Sequence, residues 1–232
     1  MTAAEALADL VAVMDRLRSP GGCPWDAEQT HVSLVPFGIE EVFEVVEAIE
    51  AGDHVGLREE LGDLLLQVVF HARIAQEHPT EPFDLDDVAA GIAAKLRRRH
   101  PHVFGSAEVR DAAHVSERWD EIKRAEKSRD SAMDGIPSGL PALARAQAIL
   151  SRSRRAGLVE PVVVEPGPVG GVVGSADHEP DGAATIGDAL LALVHRADVA
   201  GVDAEGALRA AARRLELGLR AAERDVGAHH VD

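Results

Sequence analysis

Apolar residues recur at intervals of three and four along most of the chain, and short clusters of Gly, Pro and Asp close each run. That pattern is the signature of successive amphipathic helices. Thr2 to Glu5 has the capping-box form, and Leu7, Leu10, Val11, Met14 and Leu17 follow at helical spacing, predicting a first helix that ends near Arg18. "SPGGCP" interrupts it. Asp26 to Gln29 is a second cap signature and predicts a short helical turn that ends near Pro36. Ile39, Val42, Phe43, Val46 and Ile49 form a stripe, predicting a helix over residues 37 to 51 with that face buried. After "AGD", Leu57, Leu61, Leu64, Leu65, Val68 and Val69 carry another helix from about His54 to Glu77. A connection this short makes the two helices antiparallel neighbours.

Asp84 or Asp86 caps a further helix that carries Leu96 and ends at "RRRHPHVF", because the residue before Pro101 is pushed out of helical geometry. A polar helix is expected over about Ala112 to Arg129, another from about Leu140 to Ala156, and two last ones over about 185–200 and 204–225. Residues 157–184 are rich in Gly and Pro without helical periodicity and read as a linker or mobile loop. "GDLLLQVVFHARIAQ" at 62–76 aligns with "GDALLALVHRADVAG" at 187–201, which points to a duplicated helical unit. Asp188 stands where Asp63 does, but Thr185 replaces Glu60. The expected organisation is a helical unit over 1–134, a connecting helix over 135–156, the linker over 157–184 and a degenerate second repeat over 185–232.

Composition supports packed helices: the chain is 46% hydrophobic but only 3% aromatic, and it has no Tyr. A formal charge of -16 argues against a nucleic-acid polymer as partner, since such binders present a basic field to phosphates. The single cysteine, Cys23, excludes an internal disulfide framework and a Cys-based zinc site. The N-terminus has no basic region followed by an apolar run, and no stretch approaches about 18 uninterrupted apolar residues. The expectation is a cytoplasmic protein that does not engage a membrane.

The charge is unevenly distributed. Residues 37–63 hold nine carboxylates and one cation, Arg58. Like charges three or four apart destabilise a helix by roughly 0.2–0.5 kcal/mol per pair, a cost that a bound cation removes. Glu41 and Glu44 are spaced i, i+3 on one helix, and Glu60 and Asp63 are spaced i, i+3 on the next. Each pair therefore projects from one face, and antiparallel helices let four oxygen ligands converge. Oxygen-only ligation suits a hard cation such as Mg²⁺, which shares its remaining positions with water and substrate phosphates. His71 lies eight residues after Asp63, not at the Glu-x-x-His spacing of di-iron bundles. A glutamate on an amphipathic helix is ordinarily just solvated, and Glu47, Glu50 and Glu59 are read in that way.

Cations appear later in the chain. Lys95 and Arg99 are i, i+4 on the fourth long helix, and Trp119 and Lys123 have the same spacing on the polar one. Cations facing a metal site suit a triphosphate, and an indole can stack on a base. The competing accounts are a helix C-terminus attracting "KLRRR", which serves for Arg97, and ordinary packing of Trp119. In "GGCPWDAEQT", Gly, Pro and a capping Asp explain a tight turn that Trp25 can anchor. Cys23 has no neighbouring base, and His54, His71, His100 and His102 form no metal-spaced set, so none of them receives a catalytic role.

"CPWDAEQT", "EEVFE" at 40–44, "EELGDLLLQVVFHA" at 59–72, "KLRRRHPHVF" at 95–104 and "RWDEIK" at 118–123 together resemble the MazG nucleoside triphosphate pyrophosphohydrolases. "GIPSGLPALARAQAI" resembles the segment that joins the two units of longer members. The resemblance implies an all-α helical bundle, homodimeric assembly, dependence on Mg²⁺ with Mn²⁺ as a substitute, and hydrolysis of ribo- or deoxynucleoside triphosphates to monophosphate and pyrophosphate. It places metal ligation on Glu41, Glu44, Glu60 and Asp63, with Glu40 adjoining; of these, Glu41 is taken as the residue that orients the attacking water and Glu40 as a substrate neighbour. It places phosphate contacts on Lys95, Arg99 and Lys123, and Trp119 beside the base. The second repeat keeps only Asp188, with Thr185 for the Glu and Gly218 for the motif Arg, so activity is expected from the first unit. Two rivals stay open: a dUTPase-like or housecleaning enzyme selective for one nucleotide class, and a non-enzymatic interaction module for the C-terminal half.

Overall fold

The first helix, α1 (Ala3–Arg18), begins at the predicted cap. The Glu5 amide donates to Thr2 Oγ1 at 3.2 Å while the Thr2 amide donates to Glu5 Oε2 at 2.7 Å, so two amides that the helix start leaves open are satisfied. Ser19 turns extended and Gly21 takes φ +77°, ending the helix. A Cβ on Gly22 would come within 2.2 Å of the Leu17 carbonyl oxygen, so only glycine fits there. The computed structural model describes residues 1–107, 110, 111, 115, 118, 122, 131–158 and 181–228, with no strand among them. Most of the expected polar helix over 112–129 and most of the Gly/Pro-rich stretch lie outside the described residues.

The short second helix, α2 (Pro24–Glu28), starts two residues before the expected cap: Cys23 is its N-cap, and Asp26 sits in its first turn. Pro36 does not end it. The helix is over by Gln29, and Pro36 instead lies in the first turn of α3 (Val35–Ala51). A first turn has amides without intrahelical acceptors, so a residue lacking N–H costs nothing there. Gly52, at φ +69°, closes α3 by donating to the Ala48 and Ile49 carbonyls. Asp53 Oδ1 then accepts from the Val55 and Gly56 amides, both at 3.0 Å, and starts α4 (His54–Ala75). The two helices pack along their length as the expected hairpin.

One expectation fails on this hairpin. Of the α3 stripe, Ile39, Val42, Phe43 and Ile49 are exposed, at 45–58% of their surface, and only Val46 is partly covered. Leu61, Leu65 and Val68 on α4 are exposed as well. Among the described helices of unit 1, α4 is the one that packs along α3, so one side of the hairpin keeps an apolar surface not covered by the described residues. The core lies on the other side of α4, where Met14, Leu34, Val69 and Phe70 are buried among Leu10, Val11, Leu17, Leu66, Ile74 and Leu85. α5 (Leu85–Arg99) is capped by Asp84 through a reciprocal box with Asp87 and packs on α4; α6 (Pro101–Phe104) follows.

The chain divides into two compact units, Met1–Lys123 and Arg124–Asp232. In the second, α7 (Ala142–Arg155) packs on α8 (Asp181–Val199) and α9 (Ala204–Ala228). Gln147 ties the α8–α9 turn to α7, donating to the Val202 carbonyl at 2.7 Å and accepting from the Ala204 amide at 2.9 Å. Arg154 pairs with the buried Asp198 at 2.7 Å, a charge contact rather than an aligned hydrogen bond. No helix among the described residues is long and apolar enough to cross a membrane.

Candidate metal centre

Glu41 lies ten residues before the end of α3, and Asp63 lies nine residues after the start of α4. At about 1.5 Å of rise per residue those arms are about 15 Å and about 14 Å long, so a hairpin with a two-residue turn sets the two side chains level. Glu60, one turn earlier on α4, shares the face of Asp63. One carboxylate oxygen each from Glu41, Glu60 and Asp63 lies within 4.8 Å of the other two. Oxygens bound to one Mg²⁺ or Ca²⁺ at about 2.1–2.5 Å are at most about 4–5 Å apart, so these three need little movement to share an ion.

Glu44, the fourth expected ligand, stands one turn beyond Glu41 on α3, close enough for its charge to act on Glu41. The electrostatics agree with this crowding. Glu41 is raised above its ordinary pKa by desolvation first, then by the charges of Asp63 and Glu44. Glu60 is raised by desolvation and then by Glu44 and Asp63. Every charged neighbour responsible is itself a carboxylate, and no Lys or Arg pairs with the four acids among the described residues. The donor set therefore fits a hard divalent cation: all oxygen, negatively charged and uncompensated.

The other predicted residues are less closely gathered. Glu40 is exposed beside Glu41. Lys95 is partly buried and Arg99 is buried at 8% exposure, both on α5, which lies against the ligand-bearing α4. Trp119 and Lys123 lie outside the described residues. In the second unit Thr185 and Asp188 are exposed on α8, and no second group of three potential ligands occurs among the described residues. Two features escaped the sequence reading. His31, in the turn before α3, meets His71 on α4, and the Gln67 side-chain oxygen is buried without a partner among the described residues. The available signal was spacing, since Gln67 and His71 follow Asp63 by four and eight residues.

Residues 29–104 match the family described as the MazG nucleotide pyrophosphohydrolase domain. The chain is 42% identical to the nucleoside triphosphate pyrophosphohydrolase of Escherichia coli K12, with 96% of this chain and 89% of that protein covered. The chain belongs to the MazG family. It is also 49% identical to an uncharacterized 26.1 kDa protein of Streptomyces cacaoi, covering 94% of this chain and 82% of that protein. The nucleoside triphosphate pyrophosphohydrolase/pyrophosphatase MazG of Thermotoga maritima is 38% identical, with 89% and 81% covered. The matched MazG span contains Glu41, Glu44, Glu60, Asp63, Lys95 and Arg99, so the family likeness and the carboxylate geometry fall on the same helices.

Proposed function

We propose that the chain hydrolyses nucleoside triphosphates to the monophosphate and pyrophosphate, with Mg²⁺, or Mn²⁺ in its place, held by Glu41, Glu44, Glu60 and Asp63. The observation that carries this reading is the convergence of Glu41, Glu60 and Asp63 within 4.8 Å in a MazG-family chain whose relatives are named for that reaction. Bound Mg²⁺ supplies charge neutralisation on the phosphates and lowers the pKa of a coordinated water. Glu41, on α3, faces Glu60 and Asp63 across the hairpin and orients the attacking water, with Glu40 beside the substrate. Lys95 and Arg99 offset phosphate charge from α5, joined by Lys123, while Trp119 lies against the base.

Catalysis is assigned to the first unit, and the second, with Thr185 and Gly218 at motif positions, is assigned a structural role. The exposed apolar stripe of α3 supports a homodimer, and housecleaning of non-canonical nucleotides supplies the physiological setting in the cytoplasm.

The reading is tested by incubating the protein with each nucleoside triphosphate and Mg²⁺ and resolving the products. Monophosphate and pyrophosphate are expected; nucleoside diphosphate and orthophosphate would overturn the reaction class. Asp63→Asn and Glu41→Gln are each expected to lower kcat by about 100-fold or more, and a fully active variant would remove the site.

A further inference from the structure

Asp63, Gln67 and His71 follow one another at intervals of four on α4 and so share a face, with Gln67 about 6 Å and His71 about 12 Å along the axis from Asp63. Gln67 Oε1 is enclosed and has no hydrogen-bond partner among the described residues. An amide oxygen in that state is destabilising unless something donates to it. On the next turn His71 Nδ1 lies 2.8 Å from His31 Nδ1, with the rings 11° from parallel. A contact that short pairs one N–H donor with one acceptor. The neutral pair therefore presents one Nε2 as a donor and the other as an acceptor.

On the facing end of α3, Gly38 lies three residues before Glu41, and a Cβ built on it would meet no atom of the described residues within 4 Å. Phe37 beside it carries Trp25 edge-on at 5.9 Å, and Trp25 keeps half of its surface exposed. In the opposite direction along α4 lies Asp53, whose carboxylate is already engaged by the Val55 and Gly56 amides and adds only negative charge.

We propose that Gln67 and the His31–His71 pair form the nucleoside-recognition end of the site. Gln67 accepts a hydrogen bond from an O–H or N–H of the nucleoside, and the two imidazole Nε2 atoms read the base edge beyond it. The inference rests on the nucleotide reading above, because phosphates held by a cation at Glu60 and Asp63 would place the sugar about one turn on and the base further along the same face.

The test uses the full chain with Mg²⁺, measuring kcat and KM for ribo- and deoxynucleoside triphosphates with each base, and inhibition by inorganic tripolyphosphate as a probe without a nucleoside. Gln67→Leu is expected to raise KM for the preferred nucleotide about tenfold with kcat little changed, and to leave tripolyphosphate inhibition and nucleotide-free melting temperature undiminished. A loss confined to ribonucleotides places the donor on the 2′-hydroxyl; a loss that follows the base places it there. His31→Phe is expected to flatten the ranking of bases. Wild-type KM and base ranking in both variants would overturn the proposal, as would an equal weakening of tripolyphosphate. If Gln67→Leu does not fold, His31→Phe, in an exposed turn, decides alone. A wild-type protein that released pyrophosphate from no nucleotide would refute the functional reading and the inference with it, an outcome distinct from an active enzyme with unaltered selectivity.

Discussion

Arg18 is a cation in the last turn of α1 whose guanidinium is engaged on several sides. It donates to the Gln29 carbonyl at 3.0 Å and to that of Asp26, grips both carboxylate oxygens of Glu77 at 2.9 and 3.0 Å, and lies 5.8 Å from the Phe70 ring centre. Arg73 also reaches Glu77, at 2.9 Å, and Asp15, at 2.8 Å, so four charges fasten the end of α1 to the end of α4. Glu77 is consequently held below its ordinary carboxyl pKa of 4.5, chiefly by the hydrogen bonds from Arg18. A depressed pKa stabilises the folded state fully above the unfolded value and loses that contribution as pH falls through the folded one. Glu77→Gln is therefore expected to lower stability by about 1–2 kcal/mol at neutral pH, below the buried-pair range because Glu77 is half exposed. Melting curves of the two proteins should converge below pH 4.5; a gap that persists undiminished in acid would contradict the assignment. This network was not legible in the sequence. Arg18 and Glu77 are 59 residues apart, and periodicity carries no information about which distant helix ends meet. The Glu41, Glu60 and Asp63 cluster was legible, because helical spacing and a short turn fix it locally.

At the scale of elements, the hairpin was readable in its caps and misread in its surroundings. Gly52 and Asp53 are the residues that end one helix and start the next, and both act as their chemistry requires. Asp53→Ala is expected to cost about 1 kcal/mol through the lost α4 cap, with Asp53→Asn near wild type in thermal melts. Equal stability of Ala and Asn variants would show that the cap contributes nothing. Pro36 was misassigned because proline marks both the end of one helix and the first turn of another, and only the structure distinguishes the two. The stripe of Ile39, Val42, Phe43 and Ile49 identified α3 correctly as amphipathic. Periodicity reports that a face is apolar, not which surface covers it.

At the scale of the molecule, that face bears on assembly. If it is covered by a second copy, Ile49→Lys, at a position 58% exposed and away from the carboxylates, should convert a dimer to a monomer in light scattering. A wild-type protein monomeric at micromolar concentration would exclude the dimer. The division after Lys123 leads to a second expectation. Truncation after Asp134 should retain turnover if the first unit is sufficient for catalysis, and loss of turnover in a folded fragment would give the second unit a part in the site. A helix was expected from "GDALLALVHRADVAG", and Thr185 and Asp188 both fall on α8.

The two-residue turn at Gly52–Asp53 also has a kinetic consequence. Glu41, Glu60 and Asp63 are brought together by closing a very short loop, which carries little entropic cost and involves only contacts near in sequence. Nothing in this hairpin has to wait for α1 or α5 to dock. The mutual repulsion of its carboxylates is therefore felt as soon as the hairpin closes, so if a divalent cation binds there, refolding in stopped flow is expected to be faster with Mg²⁺ than without it.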